Sequence, residues 1–221
     1  PEVQPDPAAF PAGRFDEAAP GPLDQVVVSK GGGRPPLMPR VVDLSGFDPT
    51  TAEVSAQSEF ATTYRLDDGT NVSELSLVPL NVRTSDGKWT EVSTVVTDWS
   101  DGRWGVDDHP LDPTFGTEAG DAALLQVSRD GYDVSFALEG SADSPLYRPI
   151  SNRRIADLSS VQYRDVFDHV DLRYDVAAGS VKETLVLQDV PAKQESSWAW
   201  LVSAPGLTLE VNEFREIVFL D

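Results

Sequence analysis

Cysteine is absent from all 221 residues, which excludes disulfides, thiolate metal sites and a cysteine nucleophile. Only two histidines occur, His109 and His169, so a zinc site built from imidazoles is nearly excluded as well. Basic residues are scarce: Lys and Arg number 17 against 37 Asp and Glu, a net charge of −20. Nucleic-acid binding needs clustered cations to neutralise phosphates, and this chain has few. The same balance argues against adsorption to an anionic membrane surface. No apolar run approaches the ~18 residues that a membrane span requires. No G-x-S-x-G, G-x-x-x-x-G-K-[ST] or G-x-G-x-x-G occurs, which removes the nucleophile elbow and the common phosphate cradles.

What remains is rich enough to fold. Hydrophobic residues make up 40% of the chain, too many for a wholly disordered acidic segment. Asp outnumbers Glu, 24 to 13, which suits a fold of many turns better than a helical one. The chain opens at Pro1 rather than Met, the mark expected of a processed product or a piece of a longer polypeptide. Acidity without cysteine suits an extracellular bacterial protein, with a cytosolic origin left open.

Residues 1–40 carry 9 of the 17 prolines together with Gly31-Gly32-Gly33, the composition of a linker or extended arm. Val26-Val27-Val28 is the one patch in it suited to pair as a strand. Its other apolar residues, among them Phe10, Phe15, Leu23, Leu37 and Met38, are spread out as in a strap lying across a groove. Residues 41–221 hold 13 basic and 32 acidic residues, a net −19, and form the folded body.

That body reads as strands. Tyr132–Glu139 alternates apolar and polar, preceded by Ala123, Leu125 and Val127 across an Arg129-Asp130-Gly131 turn. Val170–Val176 alternates equally well, and an Ala177-Ala178-Gly179-Ser180 turn leads into Val181–Leu187. Phe60, Thr62, Tyr64 and Leu66 face one way before Asp67-Asp68-Gly69. The following strand changes parity between Leu77 and Leu80, which predicts a bulge or an edge position around Val78-Pro79. Trp89–Val96, Trp198–Val202, Leu207–Val211 and Glu216–Leu220 complete the set. No segment sustains a 3.6-residue period. The prediction is an all-β fold, an antiparallel β-sandwich or two packed in series, with a Pro-rich N-terminal arm.

Two stretches resemble a known family. Tyr64-Arg65-Leu66-Asp67-Asp68-Gly69-Thr70 followed by Asp86-Gly87-Lys88-Trp89 is similar to a "DGT" hairpin and then a "GKW" hairpin. Tyr163-Arg164-Asp165-Val166-Phe167, Val170–Asp175 and Val181-Lys182-Glu183 resemble a "Y-x-D-V … V-D-L-x-Y … K-E" signature. Both belong to the N-terminal β-rich domain of secreted Rhs/YD-repeat proteins of Gram-positive bacteria. The resemblance covers roughly residues 55–190 and rests on turn glycines and core aromatics, so it speaks to fold more than to activity. It implies a module at the front of a polymorphic toxin or wall-associated protein. The implied partners are a downstream YD-repeat shell and the C-terminal toxin it encloses, with cell-wall glycan as a further one.

Four groups of residues invite chemistry. Asp165, Asp168, His169 and Asp171 form the densest polar cluster, which offers oxygen ligands to calcium or an Asp–His acid–base pair. The plainer reading is an inter-strand turn, with Asp171 on the wet face of its strand. Asp107-Asp108-His109-Pro110-Leu111-Asp112-Pro113 is either a weak cation site or a proline-stiffened surface loop. Trp198 and Trp200, two apart, share one face of a strand, while Trp89, Trp99 and Trp104 lie near turns. Exposed, such rings make a sugar-stacking platform; buried, they fill a core. Arg148, Arg153 and Arg154 form the single basic cluster, suited to an acidic neighbour or to a solvated loop. For the first three the plainer reading is preferred; the arginine cluster suits either reading equally. No catalytic, cofactor-binding or metal-binding residue is assigned, and the chain is read as a non-catalytic structural module that closes, anchors or docks the downstream shell. A carbohydrate-binding module is the alternative, and a glycoside hydrolase, built on two of the many carboxylates, is the third reading.

Overall fold

The computed structural model describes residues 26–29, 47–99, 102–147, 158–188 and 197–221. Among these no helical segment longer than one residue occurs, and the fold is all-β as the alternation predicts. The N-terminal sheet has four strands, β1 (Val26–Ser29), β2 (Glu53–Ser58), β3 (Ala61–Arg65) and β4 (Asn71–Leu75), in the order β1-β4-β3-β2. A hairpin follows, β5 (Asn81–Arg83) and β6 (Trp89–Glu91).

The next strands form two facing sheets. One takes β7 (Thr97–Asp98), β8 (Trp104–Gly105), β9 (Thr114–Phe115), β10 (Leu125–Arg129), β11 (Tyr132–Leu138) and, after the second sheet, β16 (Trp200–Ser203). Their order is β16-β11-β10-β9-β8-β7. The other is β12 (Leu146–Tyr147), β13 (Ser160–Phe167), β14 (Val170–Ala177) and β15 (Ser180–Leu187), paired in sequence order. A last hairpin, β17 (Thr208–Val211) and β18 (Ile217–Leu220), ends the chain.

The two facing sheets share one core, which makes this part a β-sandwich. Val106, Phe115, Leu124, Leu125 and Leu138 come from the first sheet and its loops, and Val161, Tyr163, Leu172, Tyr174 and Val176 from the second. On β14 the inner residues are every second one, Val170, Leu172, Tyr174 and Val176, the period a half-buried strand requires. Three rings fill the centre: Tyr174 lies 5.6 Å from Phe115 and 6.4 Å, edge-on, from Tyr163. The Tyr163 hydroxyl, which burial would otherwise leave unpaired, donates to the Gly116 carbonyl at 2.7 Å. The N-terminal sheet buries its own smaller set, Tyr64, Val72, Thr62, Thr70 and Asn81. Asn81 stitches it together, donating to Ser58 O and Thr62 Oγ1 and accepting from Gln57.

Turn chemistry explains the hairpins. Asp130 and Gly131 have φ of 54° and 85°, the doubly positive pair of a tight hairpin turn, so Arg129 pairs with Tyr132 as the sequence predicts. Four longer loops repeat one pattern, in which the first residue's N–H bonds the fifth residue's carbonyl and the fourth's N–H bonds the first's. They run from Leu66 to Thr70, Thr84 to Lys88, Trp99 to Arg103 and Asn212 to Glu216. Their fourth residue has positive φ, supplied by Gly69, Gly87 and Gly102 but by Arg215 in the last. The "DGT" and "GKW" stretches are thus both hairpin loops, β3–β4 and β5–β6.

Some expectations change. Val78-Pro79 is not a bulge within a strand: β4 ends at Leu75, and residues 76–80 cross to β5 as a loop held by Ser76 N–H to Phe60 O and Leu80 N–H to Glu59 O. Pro79 packs so closely on Gly179, in the β14–β15 turn, that a Cβ there would come within 2.8 Å of its ring. With Arg129 Nη2 3.3 Å from Glu59, this joins the N-terminal sheet to the sandwich. Val26–Ser29 pairs along the free edge of β4, adding the edge strand that the valine patch suits. The rest of the arm, and Arg148, Arg153 and Arg154, lie outside the described residues.

Candidate functional site

The Asp165–Asp171 cluster is built around a bulge. Regular pairing of β13 with β14 breaks between Tyr163 and Phe167, and Asp165 takes a φ of 51°. Asp171 holds this geometry in place. Its carboxylate accepts from Asp165 N–H at 2.8 Å, Gln162 Nε2 at 2.9 Å and Gln188 Nε2 at 2.9 Å. Asp171 is therefore only 7% exposed, not the wet-face residue that alternation predicts. Asp168 and His169 form the turn beyond it, 3.7 Å apart, with Asp168 side chain 98% exposed. The groove beside them, about 550 Å³, is open and lined also by Gly140, Ser141 and Phe167. The one buried carboxylate of the four residues already accepts from three protein donors, while the other three residues are exposed. Among the described residues no three His, Asp or Glu are grouped to hold a metal ion.

His109 is a structural tie. It is buried, its Nδ1 accepts the Leu111 N–H at 3.1 Å, and its Nε2 donates to Ala177 O at 2.9 Å. A backbone N–H can only donate and a carbonyl only accept, so the ring is the neutral Nε2–H tautomer. Burial pushes its pKa below the usual histidine value. Asp108 and Asp112 on either side take φ of 53° and 40°, which bends the loop over the β14–β15 turn. The Asp112 carboxyl is raised by desolvation first and by Asp107 second. Both ring nitrogens are engaged in holding backbone, leaving neither for proton transfer.

The tryptophans do not form a platform. Trp104, Trp198 and Trp200 are half-buried and pack against the sandwich core. Trp99 lies so closely on Gly105 that a Cβ there would collide with its ring. Trp89 is capped by the Arg83 guanidinium, 4.8 Å over the ring.

Three features escape a reading of the sequence. Tyr64, Glu74, Glu91 and Asn81 line a groove of about 590 Å³ on the N-terminal sheet. There the Tyr64 hydroxyl is raised by desolvation and then by Glu74. Glu183 takes the inward parity of β15, between Val181 and Leu185, and its carboxylate accepts from the Tyr174 hydroxyl at 3.2 Å. Desolvation there pushes it to about 7, although much of its stem is exposed. Strict alternation from Val181 is the signal that would have placed it inward. The third is a cleft of about 370 Å³ at the joint of the two units, lined by Arg83, Trp89, Glu59, Arg129 and Asp130. Loop crossings from distant segments create it, so no local pattern announces it. Comparison with family models, curated proteins and solved structures gives no match for this chain.

Proposed function

We propose that the chain is a non-catalytic structural module at the front of a secreted, wall-associated Rhs/YD-repeat protein, where it seats the downstream shell. The order of the hairpin motifs at 64–70 and 86–89, and of the strand motifs at 163–175 and 181–183, supports the family.

The observation that carries docking is the β17–β18 hairpin. Its register sets Leu209 opposite Phe219 and Val211 opposite Ile217, so one face is wholly apolar. Among the described residues that face stays open: Val211 is 69% and Ile217 55% exposed, and Phe214 in the loop is 75% exposed. A two-stranded hairpin is marginal by itself in water, and uncovered apolar faces of this kind mark interaction surfaces. The occupant that fits is the first repeat hairpin of the same polypeptide, which would extend the sheet and cover the apolar face.

The coding frame beyond Asp221 tests this reading. YD repeats are expected there; a stop codon or an unrelated domain would end it. A Val211→Asp/Ile217→Asp variant is expected to lose docking of those repeats without loss of the sandwich, and full retention of docking would move the contact elsewhere.

A further inference from the structure

The cleft at the joint has a composition that none of the reading above uses. The Arg83 guanidinium of β5 lies over the Trp89 ring of β6, 4.8 Å from its centroid. Among the described residues its guanidinium meets no hydrogen-bond acceptor, so a planar fork of five N–H donors is held on an indole and left unspent. Across the cleft, Arg129 Nη2 lies 3.3 Å from Glu59 and its Nε 3.5 Å from Asp130. One guanidinium shared by two carboxylates leaves oxygen lone pairs to spare. Asn81 and Ser128 also reach the lining, but each is already spent within the protein.

The charges decide the ligand class. Arg83 and Arg129 balance Glu59 and Asp130, and His109 at the cleft's edge is neutral by its hydrogen bonds. The local sum is zero. An anion would enter against the field of a chain at −20, and a cation would face Arg83. A ligand that both donates and accepts through adjacent hydroxyls meets neither penalty. About 370 Å³ lies within the range of small-molecule sites.

We propose that this cleft binds a neutral saccharide, with Arg83 donating in bidentate fashion to vicinal hydroxyls, Glu59 and Asp130 accepting from others, and Trp89 holding the Arg83 guanidinium in place. The site is independent of the docking hairpin and of the family reading. It also differs from the tryptophan platform that the sequence offers, since Trp89 holds Arg83 rather than stacking on the sugar.

Isothermal titration of the full chain with cellotriose, maltotriose and triacetylchitotriose tests it, with trigalacturonate as the charged arm. At least one neutral trisaccharide is expected to saturate with a Kd below about 1 mM, and trigalacturonate to bind at least about tenfold more weakly. Arg83→Lys keeps the charge and loses the planar fork, and is expected to weaken binding about tenfold, the loss of roughly one hydrogen-bond pair. Trp89→Leu should do the same, and Val211→Asp on the hairpin should leave binding unchanged. Absence of binding by all three neutral sugars up to about 10 mM overturns the proposal. So does binding that Arg83→Lys leaves intact, or a preference for trigalacturonate. Thermal midpoints of the variants within a few degrees of the parent show that the fold survives.

Discussion

Replacing Asp171 separates a structural carboxylate from a ligand. In the folded chain it takes three donors, two glutamine amides and the Asp165 N–H. Asp171→Ala leaves all three without their acceptor. Gln162 is half-buried and Gln188 exposed, so both amides can turn to water, but the Asp165 N–H belongs to a backbone fixed at φ 51° and cannot. Each donor left unpaired in a buried setting costs about 1–3 kcal/mol. With the glutamines partly rescued, the total is about 3 kcal/mol, equivalent to about 6–12 °C in Tm for a chain of this size. Asp171→Asn keeps Oδ1 for Asp165 and Gln188, and Gln162 can reverse its amide to accept from the new NH₂. Its cost should stay near 1 kcal/mol, about 2–4 °C. Scanning calorimetry on the two variants and the parent reads the difference. Equal Tm values for Asp171→Ala and the parent would refute the reasoning. So would a stabilisation of the parent by calcium beyond that of magnesium at equal ionic strength, because the carboxylate would then be serving a cation.

Tyr163→Phe removes the hydroxyl donated to Gly116 O and orphans a buried carbonyl, an expected loss of about 1–2 kcal/mol in urea denaturation with the m-value unchanged. Glu183 is raised from 4.5 to about 7 in the fold, so its favourable contribution is complete below about 4.5 and is lost as pH rises through 7. Glu183→Gln should therefore be more stable than the parent at pH 8 and lose that advantage by pH 5. His109, lowered by burial, acts in the opposite sense, destabilising the fold as pH falls below 6.5, but it is common to both chains and cancels in the comparison. Parallel stability curves for the two chains between pH 5 and 8 would show that Glu183 does not titrate as described.

The all-β class, the β10–β11 and β14–β15 hairpins and the turn at Asp130-Gly131 were legible in the sequence because they depend on contacts between near neighbours. Period-2 alternation sets which side chains share a face, and Asp-Gly pairs supply the positive φ that closes a hairpin. The two-residue strands β7, β8, β9 and β12 were not legible, since two residues carry no period and pair only where a neighbouring edge is available. The same limit applies to the sites. Asp171 is exposed by strand parity but buried in fact, because Gln162 and Gln188 arrive over it from adjoining strands. Trp198 and Trp200 share a face, yet only the packing of one sheet on the other settles that they help cover a core. The cleft of Arg83, Trp89, Glu59 and Arg129 gathers residues up to 70 positions apart. What the sequence alone determined is therefore local: strand faces, turns and overall charge. Which polar groups are consumed inside the protein, and which are left for a ligand, was decided only when distant segments met, because desolvation and hydrogen-bond satisfaction are properties of that assembled surface.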